Sequence, residues 1–299
     1  MFERRTDLAL EAREIWSEAA KGAIPKGVEE ETGLKSGFLV TQVRVINEEG
    51  EKVLCKPKGT YITVELGRLM RREESAFSDG ATVLGNELRD MLHLNESDTV
   101  LVVGLGNPVI TPDAVGHETV SNTLATRHLT ERMPETFSNF RSVAVLEPGV
   151  VGTTGIESTE VIKAVVERVR PSAVIAVDAL ASRRMDRVCR TVQLADTGIV
   201  PGSGVGNART ALNHKTLGVP VIAVGVPTVV DAATLAADIA QESGAGELDK
   251  EALGKLSGNM IVTPKDVDAN VEDISKLIGY GINLALHKNI TVEDVDMLV

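Results

Sequence analysis

The stretch VVGLGNPVITPDAVGHETV (Val102–Val120) decides the fold, because it reads as an apolar strand, a glycine turn and the start of a helix. A dinucleotide-binding turn needs glycine at its first, third and sixth places, and counting from Gly104 the sixth place is Val109. The fingerprint fails, and the turn delivers Asp113 instead. A strand that ends in a tight glycine turn would place this acid at the edge of a sheet where α/β proteins bind their ligands.

The rest of the chain alternates apolar runs with amphipathic stretches. The other apolar runs are Ser142–Val150, Ala173–Leu180, Val219–Val230 and Asn259–Pro264. The helical candidates are Asp79–Leu94, Val115–Leu129, Ser158–Val169, Val230–Ser243 and Asp266–His287. This order predicts an α/β fold with a doubly wound, mostly parallel sheet and helices on both faces. We expect one domain, 1–299, with an appended N-terminal β-hairpin over 37–66, because two alternating segments there flank the turn-rich NEEGEK.

The composition favours a protein with one aliphatic core and argues against nucleic-acid-binding, secreted and membrane proteins. The chain has 299 residues, of which 43% are hydrophobic and only 3% aromatic, so it can bury one large core of aliphatic side chains. A formal charge of -12 argues against direct binding to nucleic acid. The two cysteines, Cys55 and Cys189, form no CxxC pair and fit a reducing interior. The sequence contains neither a secretory signal nor a run of about 18 apolar residues, so we expect a soluble, cytoplasmic protein with no membrane contact.

Two acids follow apolar runs and are the best candidates for chemistry. Asp113 comes after the glycine turn, and Asp178 comes after five residues that should be buried. Each could instead cap a helix or pair in a loop. If they meet in a partly dry cleft, repulsion raises the pKa of one, so that one is ionised and the other protonated. Such a pair can activate water and protonate a leaving amine, which predicts peptide hydrolysis, with the base left open between the two.

Other motifs are weaker. The loop PGSGVGN lacks the first glycine of a nucleophile elbow, so Gly202, Ser203 and Gly204 are candidates for binding a substrate chain or an anion through backbone amides. His117 follows Asp113 by four residues and could complete a metal site with Asp113 and Asp178, or be an ordinary surface histidine. A nucleotide-binding enzyme using Gly104 and Gly106 is a further alternative that already lacks the third glycine. We expect no metal and no cofactor.

Six blocks spread over most of the chain carry a resemblance to a known family: Arg5–Glu14, Gly104–Gly116, Leu146–Ser158, Val174–Arg183, Asp196–Arg209 and Gly218–Ala232. In this order they resemble the germination protease family, the spore endopeptidases that degrade small acid-soluble spore proteins. The resemblance implies a peptidase made as an inactive zymogen that removes its own N-terminal segment, acts as a homotetramer, and shares its core with the hydrogenase-maturation endopeptidases. It also implies small acid-soluble spore proteins as substrates, and the forespore or spore core as the location.

The resemblance assigns roles to particular residues. The proposed catalytic acids of the family lie in its TPDA and VDAL motifs, which here contain Asp113 and Asp178. Precursor cleavage in the family follows an acidic residue and precedes a bulky apolar one, which fits the bond between Asp7 and Leu8 and makes 1–7 a short propeptide. The alternative is a metal-dependent maturation peptidase of the nickel-reading type, or a metal-binding protein, that uses Asp113, His117 and Asp178.

Overall fold

The computed structural model describes residues 6–19, 25–203, 209–244 and 260–299. All the described strands belong to one sheet of nine strands in the order β1-β2-β3-β7-β8-β6-β4-β5, with β9 pairing on β8. The strands are β1 Val28–Lys35, β2 Phe38–Val45, β3 Gly59–Glu65, β4 Val100–Gly104, β5 Val143–Leu146, β6 Ala173–Ser182, β7 Thr191–Ala195, β8 Val221–Asp231 and β9 Ile261–Val262.

The described helices lie before, between and after the strands along the chain. They are α1 Ala9–Ala19, α2 Glu48–Leu54, α3 Gly67–Met70, α4 Ala76–Leu92, α5 Val115–Ser121, α6 Arg127–Arg132, α7 Val151–Thr154, α8 Ser158–Val169, α9 His214–Leu217, α10 Ala232–Glu242, α11 Val267–Leu286 and α12 Val292–Leu298. Short 3₁₀ turns occupy Thr111–Asp113 and Met185–Arg187. Among the described helices, none is long and apolar enough to cross a membrane.

The sheet has a parallel part and an antiparallel extension. Strands β8, β6, β4 and β5 pair in parallel, as the βαβ rhythm of the sequence predicted. Strand β7 pairs antiparallel with β8, and β3, β2 and β1 continue the sheet antiparallel from there. The parallel part has helices on both faces, so the predicted α/β fold class is confirmed.

The two faces of the parallel part are covered by different helices because successive side chains of a strand point to opposite sides. Val100 and Val102 of β4 pack in the cluster that contains α4, α5 and α11. Leu101 and Val103 pack on the other face in the cluster that contains α8. Burial on both faces explains why the parallel strands are continuous apolar runs.

Two segments differ in detail from the sequence pattern. Within 37–66, β2 and β3 pair antiparallel, and the NEEGEK region between them begins helix α2, since the Asn47 side chain accepts hydrogen bonds from two amides of its first turn. The predicted helix Val115–Leu129 is divided into α5 and α6. Asn283 of α11 accepts from the amide of Leu124 at 2.9 Å, which fixes the backbone at the break.

Candidate active site

The glycine turn after β4 brings Asp113 back over the end of the strand. Gly106 has a φ of +100°, and a Cβ there would lie only 2.0 Å from the carbonyl oxygen of Asp113 and 3.2 Å from its Oδ1. The Asn107 amide donates to Asp113 Oδ2 at 2.9 Å. Helix α5 has no side-chain cap, so Asp113 is not its N-cap. Gly106 is therefore needed because the backbone passes close to Asp113. The glycines of this turn position an acid, and the turn has no dinucleotide fingerprint.

Asp178 lies beside this turn on β6. Gly104, the last residue of β4, pairs with Val177, so Asp178 is the first residue of β6 beyond the end of its neighbour. Strand β6 continues to Ser182, and Asp178 consequently caps no helix and does not end its strand as the sequence pattern indicated. Its side chain is buried, and its Oδ1 accepts from the Ala179 amide at 3.0 Å.

The charge of Asp113 affects the ionisation of Asp178. Burial raises the pKa of Asp178 well above its usual value, and the negative charge of Asp113 raises it further. Burial also raises the pKa of Asp113, whereas the Asn107 amide lowers it. Each carboxylate accepts one backbone amide, so the deeper burial of Asp178 is the difference that favours its protonated form.

The N-terminal segment enters the same site. The amide of Asp7 donates to the Ala181 carbonyl at 3.0 Å, and the Ala181 amide donates to Asp7 Oδ2 at 2.8 Å. The negative charge of Asp7 also raises the pKa of Asp178. The next residue, Leu8, is fully buried. The bond that the sequence resemblance marks for self-cleavage thus lies beside the final residues of β6, where the charge of Asp7 influences Asp178.

Helix α1, which follows this bond, is fixed to the end of β6 by a buried glutamate. Glu11 is only 1% exposed, and its carboxylate accepts from the amide of Arg183 at 2.7 Å and from the hydroxyl of Ser182 at 2.7 Å. Glu14 of the same helix pairs with Arg187 at 2.6 Å. These contacts hold the residues after Leu8 in place, so the chain approaches the acids in a defined register.

The remaining predicted residues divide into those in the site and those outside it. Ser203 donates its hydroxyl to Asp7 Oδ1 at 2.8 Å, and Gly202 precedes it in a left-handed turn, whereas Gly204 lies outside the described residues. His117 Nδ1 lies 2.6 Å from Glu147 Oε2. The His117 ring therefore contacts Glu147, whereas the metal site considered from the sequence would pair it with Asp113 and Asp178. In the described ranges no group of three or more His, Cys, Asp or Glu residues could hold a metal ion.

Comparison with known proteins identifies the family. The germination protease family model matches residues 7–242 and 239–299. The chain belongs to the germination protease family. It is 44% identical to the germination protease of Clostridium tetani, with 98% of each chain covered. It is 41% identical to that of Clostridium perfringens, with 99% of each covered, and 36% identical to that of Bacillus pumilus, with 98% of this chain and 96% of the relative covered.

A solved structure is also similar. A NiFe hydrogenase maturation protease from Thermococcus kodakarensis matches with a TM-score of 0.36 and 16% identity, covering 66% of this chain and 98% of the other. The family of the chain rests on the sequence relatives. As a germination protease, the chain is an endopeptidase of spore germination that acts on protein substrates.

Sequence reasoning missed two residues that contact the same bond of this germination protease. Lys56 and Gln193 both donate to the backbone carbonyl of Asp7. Gln193 had a detectable signal, because it is a polar residue inside the otherwise apolar run of β7 and is buried. Lys56 had none, since it lies in a polar connection between α2 and β3.

Proposed function

We propose that this germination protease hydrolyses small acid-soluble spore proteins through Asp113 and Asp178, and that it is made as a zymogen that cleaves its own bond between Asp7 and Leu8. The observation that carries the proposal is that the pairing of β4 with β6 sets Asp178 beside the glycine turn that holds Asp113, where the charge of Asp113 raises the pKa of Asp178. Two coupled carboxyl groups, of which one keeps the proton, supply a base and an acid at neutral pH.

The roles follow from the two environments. Asp113, which is less buried than Asp178, is the base that takes a proton from water as the water attacks the carbonyl carbon. Asp178, deeply buried and facing two further negative charges, keeps its proton and gives it to the leaving nitrogen. Neither role needs a metal ion or an organic cofactor.

Contacts of the leader support the self-processing part of the proposal. The Asp7 carboxylate is bound by the Ala181 amide and the Ser203 hydroxyl, and Leu8 is buried immediately after it. An acidic residue followed by a bulky apolar one is therefore accommodated as a substrate chain would be. While 6–8 occupy this position, another protein cannot use it, which would keep the precursor inactive. Gly202, Ser203 and Gly204 would then form part of the substrate-binding loop.

The proposal is tested by Asp113→Asn and Asp178→Asn, which preserve size and remove proton transfer. We expect each variant to lose at least about 1,000-fold in cleavage of a purified small acid-soluble spore protein. We also expect each to keep its original N-terminus, whereas the wild-type protein acquires a new one at Leu8. Asp186→Asn is the matched control, because Asp186 pairs on the surface with Arg184. Normal cleavage by either catalytic-site variant would refute the dyad.

The metal-dependent alternative is tested on the same samples. The dyad predicts that substrate cleavage and self-processing survive a strong chelator, and that His117→Asn is as active as the wild type. Loss of cleavage on chelation, with recovery on adding a divalent metal, would instead favour the site made of Asp113, His117 and Asp178.

The assembly and location in the proposal rest on the family resemblance. We propose a homotetramer of single-domain protomers in the spore core, without direct contacts to nucleic acid or membrane. Sedimentation equilibrium should give four times the chain mass of 31.8 kDa. A single species of one chain mass would contradict the tetramer.

A further inference from the structure

The carbonyl group of Asp7 has side-chain donors from two other parts of the fold. The ammonium group of Lys56 donates to the Asp7 carbonyl oxygen at 2.8 Å and to the Thr6 carbonyl oxygen at 3.4 Å. The side-chain amide of Gln193 donates to the Asp7 carbonyl oxygen at 3.4 Å. This oxygen belongs to the bond between Asp7 and Leu8, so both donors lie where negative charge would develop during its hydrolysis.

Gln193 also holds the chain on the other side of this bond. Its Oε1 accepts from the Ala9 amide at 2.7 Å, so one side chain contacts the backbone before and after Leu8. Ala9 is fully buried. An amide that bridges both sides of a peptide bond restricts its position relative to the acids.

The sheet places Gln193 in line with Asp178. Gln193 of β7 pairs with Gly225 of β8, and Gly225 pairs with Asp178 of β6. Residues that pair across neighbouring strands point to the same face, so the side chains of Gln193 and Asp178 lie on one face of the sheet. Their Cα atoms are two strand spacings apart, about 10 Å, and the side chain of Leu180 covers Gly225 between them.

Lys56 is positioned to meet carbonyl oxygens. Burial lowers its pKa below the usual value, while the negative charges of Asp7 and Glu11 favour its charged form. A desolvated ammonium group interacts strongly with a developing oxyanion because little water screens it.

We propose that Lys56 and Gln193 form the oxyanion-binding site of this peptidase and stabilise the negative charge on the scissile carbonyl oxygen. The proposal rests on the proposed function, since it takes the bond between Asp7 and Leu8 as a substrate of the two aspartates. In the first step, the water oxygen bonds to the Asp7 carbonyl carbon, one water proton moves to Asp113, and the carbonyl oxygen becomes negative. In the second, the carbonyl re-forms, the bond to the Leu8 nitrogen breaks, and that nitrogen takes the proton of Asp178.

In this mechanism, different residues act on the carbonyl oxygen and on the leaving nitrogen. With Lys56 and Gln193 on the oxygen, the proton of Asp178 is available for the leaving nitrogen. The same two donors would bind the scissile carbonyl of a separate substrate protein, because the leader occupies the position that such a chain would take.

Self-processing of the full-length chain tests the assignment. The variants are Lys56→Met, which removes donor and charge, and Lys56→Gln, which retains a donor without the charge. Removing one oxyanion donor usually costs about 100- to 1,000-fold, so we expect about 100-fold slower self-processing for Lys56→Met and about 10-fold for Lys56→Gln. Lys58→Met, an exposed lysine two residues away, is the matched control and should process at the wild-type rate.

A second measurement separates charge stabilisation from simple anchoring of the leader. In an Asp178→Asn background, where the bond stays intact, hydrogen exchange of residues 6–10 should be the same with Lys56 or Met at position 56 to within about threefold. If Lys56 only anchored the leader, the Lys56→Met change would accelerate this exchange in proportion to the loss of processing.

The outcomes distinguish this inference from the function on which it rests. The oxyanion site is supported if self-processing slows more in Lys56→Met than in Lys56→Gln and hydrogen exchange of residues 6–10 is unchanged. Wild-type rates in Lys56→Met, with Asp113→Asn inactive, would overturn the oxyanion site and leave the dyad intact. If the wild-type chain never cleaves between Asp7 and Leu8, both this inference and the self-processing part of the proposed function fall.

Discussion

Removing the Asp7 carboxylate tests how the site recognises an acid before the cleaved bond. Asp7→Ala deletes the acceptor of two hydrogen bonds, from the Ala181 amide and from the Ser203 hydroxyl, each 2.8 Å long. It leaves the backbone hydrogen bond from the residue 7 amide to Ala181 in place. The variant therefore keeps the path of the chain and loses the contacts that fix its side chain.

The expected magnitude follows from these two contacts. A hydrogen bond to a charged acceptor contributes about 1.5–3 kcal/mol when buried, and the Ser203 contact belongs at the low end because that residue is exposed. A total of about 3 kcal/mol corresponds to roughly 100-fold in rate, since each 1.36 kcal/mol is tenfold. Ser203→Ala, which removes the weaker contact alone, should slow self-processing by only about 10-fold.

The pH profile gives a second signature of the same change. The charge of Asp7 raises the pKa of Asp178, so its removal lowers that pKa. Asp178 must be protonated to act as the acid, and the alkaline decline of the self-processing rate should therefore move to lower pH in Asp7→Ala. Intact mass and N-terminal sequencing against time measure the rate at each pH. Wild-type rates and an unmoved alkaline decline in Asp7→Ala would refute recognition of the Asp7 side chain.

Two further predictions concern stability. Burial holds the pKa of Asp178 well above 3.8 in the folded protein, so the unfolded state loses this proton first and the stability of the fold falls as pH rises above 3.8. Asp178→Asn should therefore raise the melting temperature at neutral pH while abolishing hydrolysis. A lower melting temperature would contradict this prediction. Burial lowers the pKa of His287 from 6.5 to about 4, so its neutral form stabilises the fold above pH 6.5 and up to about 3 kcal/mol is lost as pH falls from 6.5 to 4. The free energy of unfolding, measured with urea at each pH, should lose much less between pH 6.5 and 4 in His287→Asn than in the wild type. His128→Asn, a change at an exposed histidine, should keep the wild-type loss. Equal pH dependence in the two variants would contradict the prediction.

Much of the parallel part could be predicted from the sequence, because burial on both faces produces long apolar runs. The apolar runs associated with Asp113 and Asp178 form the neighbouring strands β4 and β6, so their order along the chain was enough to suggest one site. The exact ends of the strands were harder to predict from the sequence. Strand β6 continues four residues beyond Asp178, since the long strand β8 pairs with it as far as Ser182 and Asp7 accepts from the Ala181 amide.

The antiparallel extension was harder to predict, and with it the donors on the Asp7 carbonyl. Strand β1 reads VEEETGLK and is largely exposed at the edge of the sheet, so it lacks an apolar signature. Lys56 and Gln193 come together only because β3 pairs with β7, a contact between segments more than 100 residues apart. A register of this kind depends on tertiary packing and leaves no local periodicity.

The most direct measurement of the central claim is a carbon-13 carboxyl titration of aspartate-labelled protein. The account predicts that Asp178 remains protonated at neutral pH, and that Asp113→Asn lowers its pKa because a neighbouring negative charge is lost. An ionised Asp178 at neutral pH, or a titration that is the same with and without the Asp113 charge, would contradict it.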